Sequence, residues 1–257
     1  MRKVRKSPDS MTFLEHLEDL RKRIFYSFLA VVISVIPAWF FHKQLYAILA
    51  VPITKYLPEG KTLTFISLTA PFMLYIKVSF LAAILFASPF VFIQIWYFIS
   101  PGLYKKEKKS VIPFVLFSSL FFISGAVFAY FIVFPFAVRF FLSMGEGFDP
   151  IITVDQYFTI ALRVILGIAL VFELPTLVYF FSRFGIITAK MMIKYFKYAV
   201  LIVFIIAAVI TPTPDPITQT IVALPMLGLY GFSILIALVV GKKKEKKRKQ
   251  EEEDLAG

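Results

Sequence analysis

Val78-Ser-Phe-Leu-Ala-Ala-Ile-Leu-Phe-Ala-Ser-Pro-Phe-Val-Phe-Ile-Gln-Ile-Trp-Tyr-Phe-Ile-Ser-Pro-Gly-Leu-Tyr104 runs for 27 residues between Lys77 and Lys105 without a charged side chain. A helix crosses the hydrocarbon core of a bilayer with about 20 apolar residues, so this stretch reads as a transmembrane helix. Five more stretches read the same way or nearly so. The expected spans are about 24–41, 72–100, 111–139, 156–181, 194–210 and 217–240. The fifth is short for a full-thickness core and would thin or distort the bilayer around it. Composition agrees: 59% of the 257 residues are hydrophobic and 17% charged, against about half and a quarter in a soluble domain. The expected fold is an all-α integral membrane protein of six transmembrane helices in one polytopic domain, 1–241.

The formal net charge is +12. Its placement argues against nucleic acid, because Lys and Arg cluster between the apolar runs and at the two ends. Segment 1–23, the loop after the second span, the loop after the fourth and the tail from Lys242 together hold 22 of them, and the opposite loops hold four. That asymmetry places both termini in the cytoplasm. A cleaved signal peptide fits the first span poorly, since its long run ends in Pro37-Ala-Trp-Phe-Phe41 with no small-x-small site after it. The outer connection after it carries Leu45, Ile48, Leu49 and Ile53, the pattern of a short helix at the interface. Pro89, Pro135, Pro175 and Pro225 fall inside expected spans and should kink them, which suits a curved, concave shape. The tail 242–257 is a basic block followed by four acids, and is expected to be solvated and disordered.

No Ser/His/Asp order, metal-ligand cluster, Walker loop or dinucleotide glycine motif is present. There is no cysteine, and His16 and His42 lack ligand spacing. Neither an enzyme nor a cofactor is expected. What remains is a few acids in unusual places. Ahead of the first span, about 10–23 reads as an amphipathic cytoplasmic helix with Phe13, Leu17, Leu20 and Ile24 on one face. Thr12 and Glu15 have capping-box spacing. Glu15, Glu18 and Asp19 lie on another face; Glu18–Lys22 and Asp19–Arg23 have ordinary i,i+4 spacing, and the same carboxylates could accept a guanidinium bidentately. Glu107 is a lone acid in Tyr104-Lys-Lys-Glu-Lys-Lys109. Glu173 interrupts the fourth span, where an ionised carboxylate costs about 3 kcal/mol on insertion scales. Gln94 is a milder intramembrane polar residue, suited to an interhelical hydrogen bond.

The order His16-Leu-Glu-Asp-Leu-Arg21, Ser88-Pro89 with Gln94-Ile-Trp-Tyr-Phe-Ile-Ser-Pro101, Leu103-Tyr-Lys-Lys-Glu107, Phe128-Ala-Tyr-Phe131 with Phe134-Pro135, Phe172-Glu-Leu-Pro175, and Thr211-Pro-Thr-Pro-Asp215 followed by Gln219 resembles the TatC family. The resemblance covers roughly residues 12–240. It implies the signal-peptide receptor and core subunit of the twin-arginine translocase, which exports folded proteins using the proton-motive force. Implied partners are twin-arginine signal peptides, TatA-type and TatB-type single-span subunits, other copies of the chain and the lipid bilayer. The resemblance carries signal-peptide binding onto Asp19, with Glu15 and Glu18 able to share its role, and onto Arg21, Phe98, Leu103, Tyr104, Lys105 and Glu107. It carries an acid facing a groove onto Glu173, and structural or assembly roles onto Pro52 and Asp215. The family usually has Glu at the position of Asp19, so the charge is kept with a reach one methylene shorter. The alternative is a proton- or ion-coupled small-solute transporter titrating at Glu173, though no internal repeat is evident.

Overall fold

A computed structural model describes residues 13–57, 60–99, 111–145, 147–148, 150–211 and 215–256, with side chains for the same residues except 13, 111, 243–249 and 251–256. The described residues are helical throughout, apart from short connections and one isolated bridge between Thr64 and Thr153. In chain order the helices are α1 (Phe13–Phe40), α2 (His42–Thr54), α3 (Ala70–Ile99), α4 (Val111–Phe128), α5 (Phe134–Met144), α6 (Val154–Val171), α7 (Leu174–Phe184), α8 (Ala189–Lys194), α9 (Phe196–Ile210) and α10 (Pro216–Ala256). Among the described residues five runs are long and apolar enough to cross a membrane: α1, α3, α4 through α5, α6 through α7, and α10. The sixth, α9, has 15 residues. At 1.5 Å per residue it is about 22 Å long, short of an about 30 Å core.

The chain divides into two compact units, 1–48 with 67–120 and 49–66 with 121–257. In the first, α1 packs along α3. Trp96 and Phe114 are buried with ring centroids 5.0 Å apart. In the second, α6 is the most buried element: Phe158, Ala161, Val164, Ile165, Ile168 and Ala169 are at most 2% exposed. Gly125 lies so close to it that a Cβ there would stand 2.8 Å from the Ala169 Cα and 2.7 Å from the Phe172 Cβ. Small residues permit this close approach where lipid gives helices no hydrophobic reason to associate.

The prolines do different things. At Pro89 the helix runs on, and the Leu85 carbonyl loses the N–H that a non-proline would supply. Ser88 replaces it, its Oγ donating to the Leu85 oxygen at 2.8 Å. We expect Ser88→Ala to cost about 1 kcal/mol and to cost nothing once Pro89→Ala restores the backbone donor. Thermal unfolding of the two singles and the double checks this, and equal losses in both backgrounds would refute it. Pro135 instead follows a π-helical turn, Ala129–Val133, that absorbs the missing hydrogen bond. Pro175 lies in the first turn of a new helix, α7, after α6 has ended at Val171. Pro225 and Pro52 sit inside continuous helices.

Two expectations change, and the short helix expected after the first span is present as α2. The amphipathic segment and the first span are one helix, because nothing between Phe13 and Pro37 interrupts it. Helix α2 follows α1 after Phe41 alone and buries Leu49, Ala50, Pro52 and Ile53. The tail, expected to be disordered, continues α10 to Ala256; its Lys, Arg, Gln and Glu are all strong helix formers. At the other end of α10, Asp215 caps the helix, its Oδ1 accepting the Thr218 N–H at 2.8 Å with Pro216 at the first helical position. Asp215 thus has a structural use.

Candidate functional site

The acids near the start of α1 do not act as one cluster. Glu15 is exposed. Glu18 meets Lys22 at 2.8 Å with both side chains more than half exposed. The Lys22 hydrogen bond and charge hold the Glu18 carboxyl below the usual range and raise the Lys22 ammonium above it. Asp19 points elsewhere. Its Oδ1 is 3.2 Å from Arg23 Nε, with side-chain exposures of 20% and 29%. Arg23 continues onto α3: Nη1 donates to Gln94 Oε1 at 3.2 Å, and the guanidinium lies 5.1 Å from the Tyr97 ring centre. One turn before Asp19, the His16 ring stacks on Phe98 with centroids 4.5 Å apart.

An i,i+4 pair adds only about 0.3–0.5 kcal/mol to a helix, so the use of this one is orientation. Arg23 is fixed by a buried amide and an aromatic face, and its Nε forms an ion pair with one oxygen of Asp19 without hydrogen-bond geometry. A carboxylate has about four acceptor positions, so Asp19 retains capacity for a further guanidinium. Asp19 is tied through Arg23 to the end of α3. Phe98 is beside it on that helix, and Arg21 is exposed. Leu103, Tyr104, Lys105 and Glu107 lie outside the described residues, as does Thr12 of the capping box.

Arg23, Tyr97 and His16 were not singled out from the sequence. The signal for Arg23 was present in its spacing from Asp19, but spacing alone says only that the two can pair. Its bond to Gln94, 71 residues away, gives the pair a direction, and that bond also occupies the Gln94 oxygen with an arginine.

Glu173 belongs to the second unit and marks the break between α6 and α7. Its own N–H reaches Leu170 O at 3.1 Å and its carbonyl accepts from Leu177 at 2.9 Å. Pro175 follows in the first turn of α7, where its missing N–H is no loss. Glu173 therefore occupies the N-cap position of α7, at the end where the helix dipole favours negative charge. The side chain is 7% exposed. A groove of about 480 Å³ is lined by Phe172, the neighbour of Glu173 in the chain, together with Phe128, Leu224, Pro225, Gly228 and Leu229. A carboxylate buried at a helix break, one residue from the lining of an apolar groove, can receive a polar group carried on another helix. Among the described residues no group of three His, Cys, Asp or Glu could hold a metal ion.

Known proteins resemble this chain in sequence and in fold. The family model described as Sec-independent protein translocase protein (TatC) matches residues 15–225. The Sec-independent protein translocase protein TatC of Koribacter versatilis is 41% identical over 233 residues, covering 90% of this chain and 86% of that protein. That of Helicobacter pylori strain J99 is 42% identical over 226 residues, covering 88% of each. A crystal structure described as the twin arginine translocase receptor TatC superposes with a TM-score of 0.78 at 38% identity, over 88% of this chain and 99% of that one. With its all-helical build, its apolar runs and the acids on α1 and at the α6–α7 break, this multi-pass membrane protein belongs to the TatC family of Sec-independent protein translocase proteins.

Proposed function

We propose that this chain receives N-terminal signal peptides bearing two adjacent arginines, at a cytoplasmic surface made by the start of α1, the end of α3 and the loop that follows. The proton-motive force then drives export of the folded cargo. The observation that carries the reading is the tie from Asp19 through Arg23 to Gln94 and Tyr97. It holds an acid at the junction of two helices, and the segment that follows α3 in sequence carries a second acid, Glu107, as a candidate partner. Guanidinium is the cation whose planar fork matches two such acceptors. The charge asymmetry supports a cytoplasmic location for both termini and for this surface. Glu173, near the groove of the second unit, suits a polar contact with the single helix of a TatA-type or TatB-type subunit, or with a deeply inserted signal peptide. Family membership weighs against the small-solute transporter reading.

Site-specific photo-crosslinking tests the location. A photoreactive residue at Phe98, which stacks on His16, should capture a twin-arginine signal peptide. The same residue at Phe86, on α3 but 77% exposed along its apolar length, should capture none. Capture at Phe86 without capture at Phe98 would remove the binding surface from this end of α3.

A further inference from the structure

In the second unit α7 packs along α10. Val178, Ala189, Met192 and Ala237 form a buried cluster between α7, α8 and α10, and the Tyr230 hydroxyl fastens α8 by donating to Met192 O at 3.0 Å. On the outer side of this contact runs a groove of about 320 Å³ lined by Tyr179, Phe232, Leu235, Ile236, Val239 and Val240. Phe232, Leu235 and Val239 are about half exposed, so the groove opens away from the protein.

What surrounds the groove gives it a direction. Arg183 follows Tyr179 by one turn on the same face of α7, and Lys242 follows Val239 by three residues on α10. Lys190 is exposed on α8, next to the buried Ala189. From Leu174 to Lys244 the only acidic residue is Asp215, at the far end of α10. The nearest acid beyond Lys242 is Glu245, and residues 242–249 hold seven basic residues against that one acid, so the groove ends where cations predominate. Its floor from Phe232 to Val240 rises about 12 Å, close to the about 15 Å depth of one leaflet. We propose that this groove binds an anionic phospholipid, one acyl chain lying along Phe232 to Val240 and the phosphate meeting Arg183 and Lys242, with Lys190 at the rim. Basic residues at the cytoplasmic end of a helix pair take anionic headgroups in this way. A purely topological use of the same cations gives no lipid preference in the groove. The proposal does not depend on the signal-peptide reading.

Tryptophan quenching tests it. Phe232→Trp puts an indole in the groove, and subtracting the parent protein removes the signal of Trp39 and Trp96. The purified protein is placed in phosphatidylcholine vesicles containing either brominated phosphatidylglycerol or brominated phosphatidylcholine. We expect the anionic lipid to quench the introduced indole at a mole fraction roughly tenfold lower, given the gain that each basic side chain makes at an anionic surface. Arg183→Gln with Lys242→Gln should abolish that preference and leave quenching by brominated phosphatidylcholine intact, which shows the helices still in place. Equal quenching by the two lipids overturns the proposal. So does weak quenching by both, which would mean that a second copy of the chain covers the groove.

Discussion

Replacing Asp19 and Glu107 together by Ala should abolish capture of twin-arginine signal peptides while the chain still inserts into the membrane. A hydrogen bond to a charged group is worth about 1.5–3 kcal/mol. Losing one carboxylate for each signal arginine then removes about 3–6 kcal/mol, or about 10² to 10⁴ in affinity. Glu18→Ala should change little, because Glu18 spends its charge on Lys22 at an exposed position. Insertion should survive because neither acid lies in an apolar span. Crosslinking yield and carbonate-resistant membrane fraction, measured on the same preparations, separate the two effects. Undiminished crosslinking in the double variant would remove the carboxylates from the site.

The second large effect is on assembly. Gly125→Leu should leave little folded protein extractable in mild detergent. Even a methyl group at Gly125 would stand 2.7–2.8 Å from the Phe172 Cβ and the Ala169 Cα, and backbone on α6 cannot rotate away. The helices must part, and Phe172 adjoins Glu173, so the carboxylate at the α7 N-terminus would move with it. Overpacking of this kind costs about 1–3 kcal/mol, so Gly125→Ala should be milder and Leu severe. Fluorescence-detected size exclusion after a temperature ramp reads both. A Leu variant as stable as the parent would mean that the close approach of α4 to α6 is not part of the fold.

Much of this molecule could be read from the chain because apolar runs and basic punctuation are strong, local signals. The uncharged stretch from Val78 to Tyr104 is enough to establish a span, and α3 covers most of it as one helix. Local signals fail where the partner is distant. Pro135 and Pro175 carry the same side chain in similar apolar runs, yet one follows a π-helical turn and the other begins a new helix after Glu173. Which response occurs depends on packing against other helices. The join of the amphipathic segment to the first span was missed for a different reason. The change from polar to apolar at Ile24 marks a change of surroundings and not of backbone.

The site divides along the same line. Glu15, Glu18 and Asp19 stand out in sequence as acids among basic residues, but their spacing cannot rank them. Gln94 and Tyr97 on another helix do, by taking Arg23 and with it Asp19. Glu173 is legible because a carboxylate in an apolar run is costly. That it is the N-cap residue of α7 emerges only once the helix is seen to break between Val171 and Leu174.

The central claim is that carboxylates on this surface recognise a pair of guanidinium groups. The most direct test is equilibrium binding of one signal peptide to the purified chain, with Arg-Arg or with Lys-Lys at the twin position. Lysine keeps both charges but lacks the planar fork that pairs with carboxylate. The account predicts that Lys-Lys binds at least about tenfold more weakly and that Asp19→Ala narrows the difference. Equal affinity of the two peptides would contradict it.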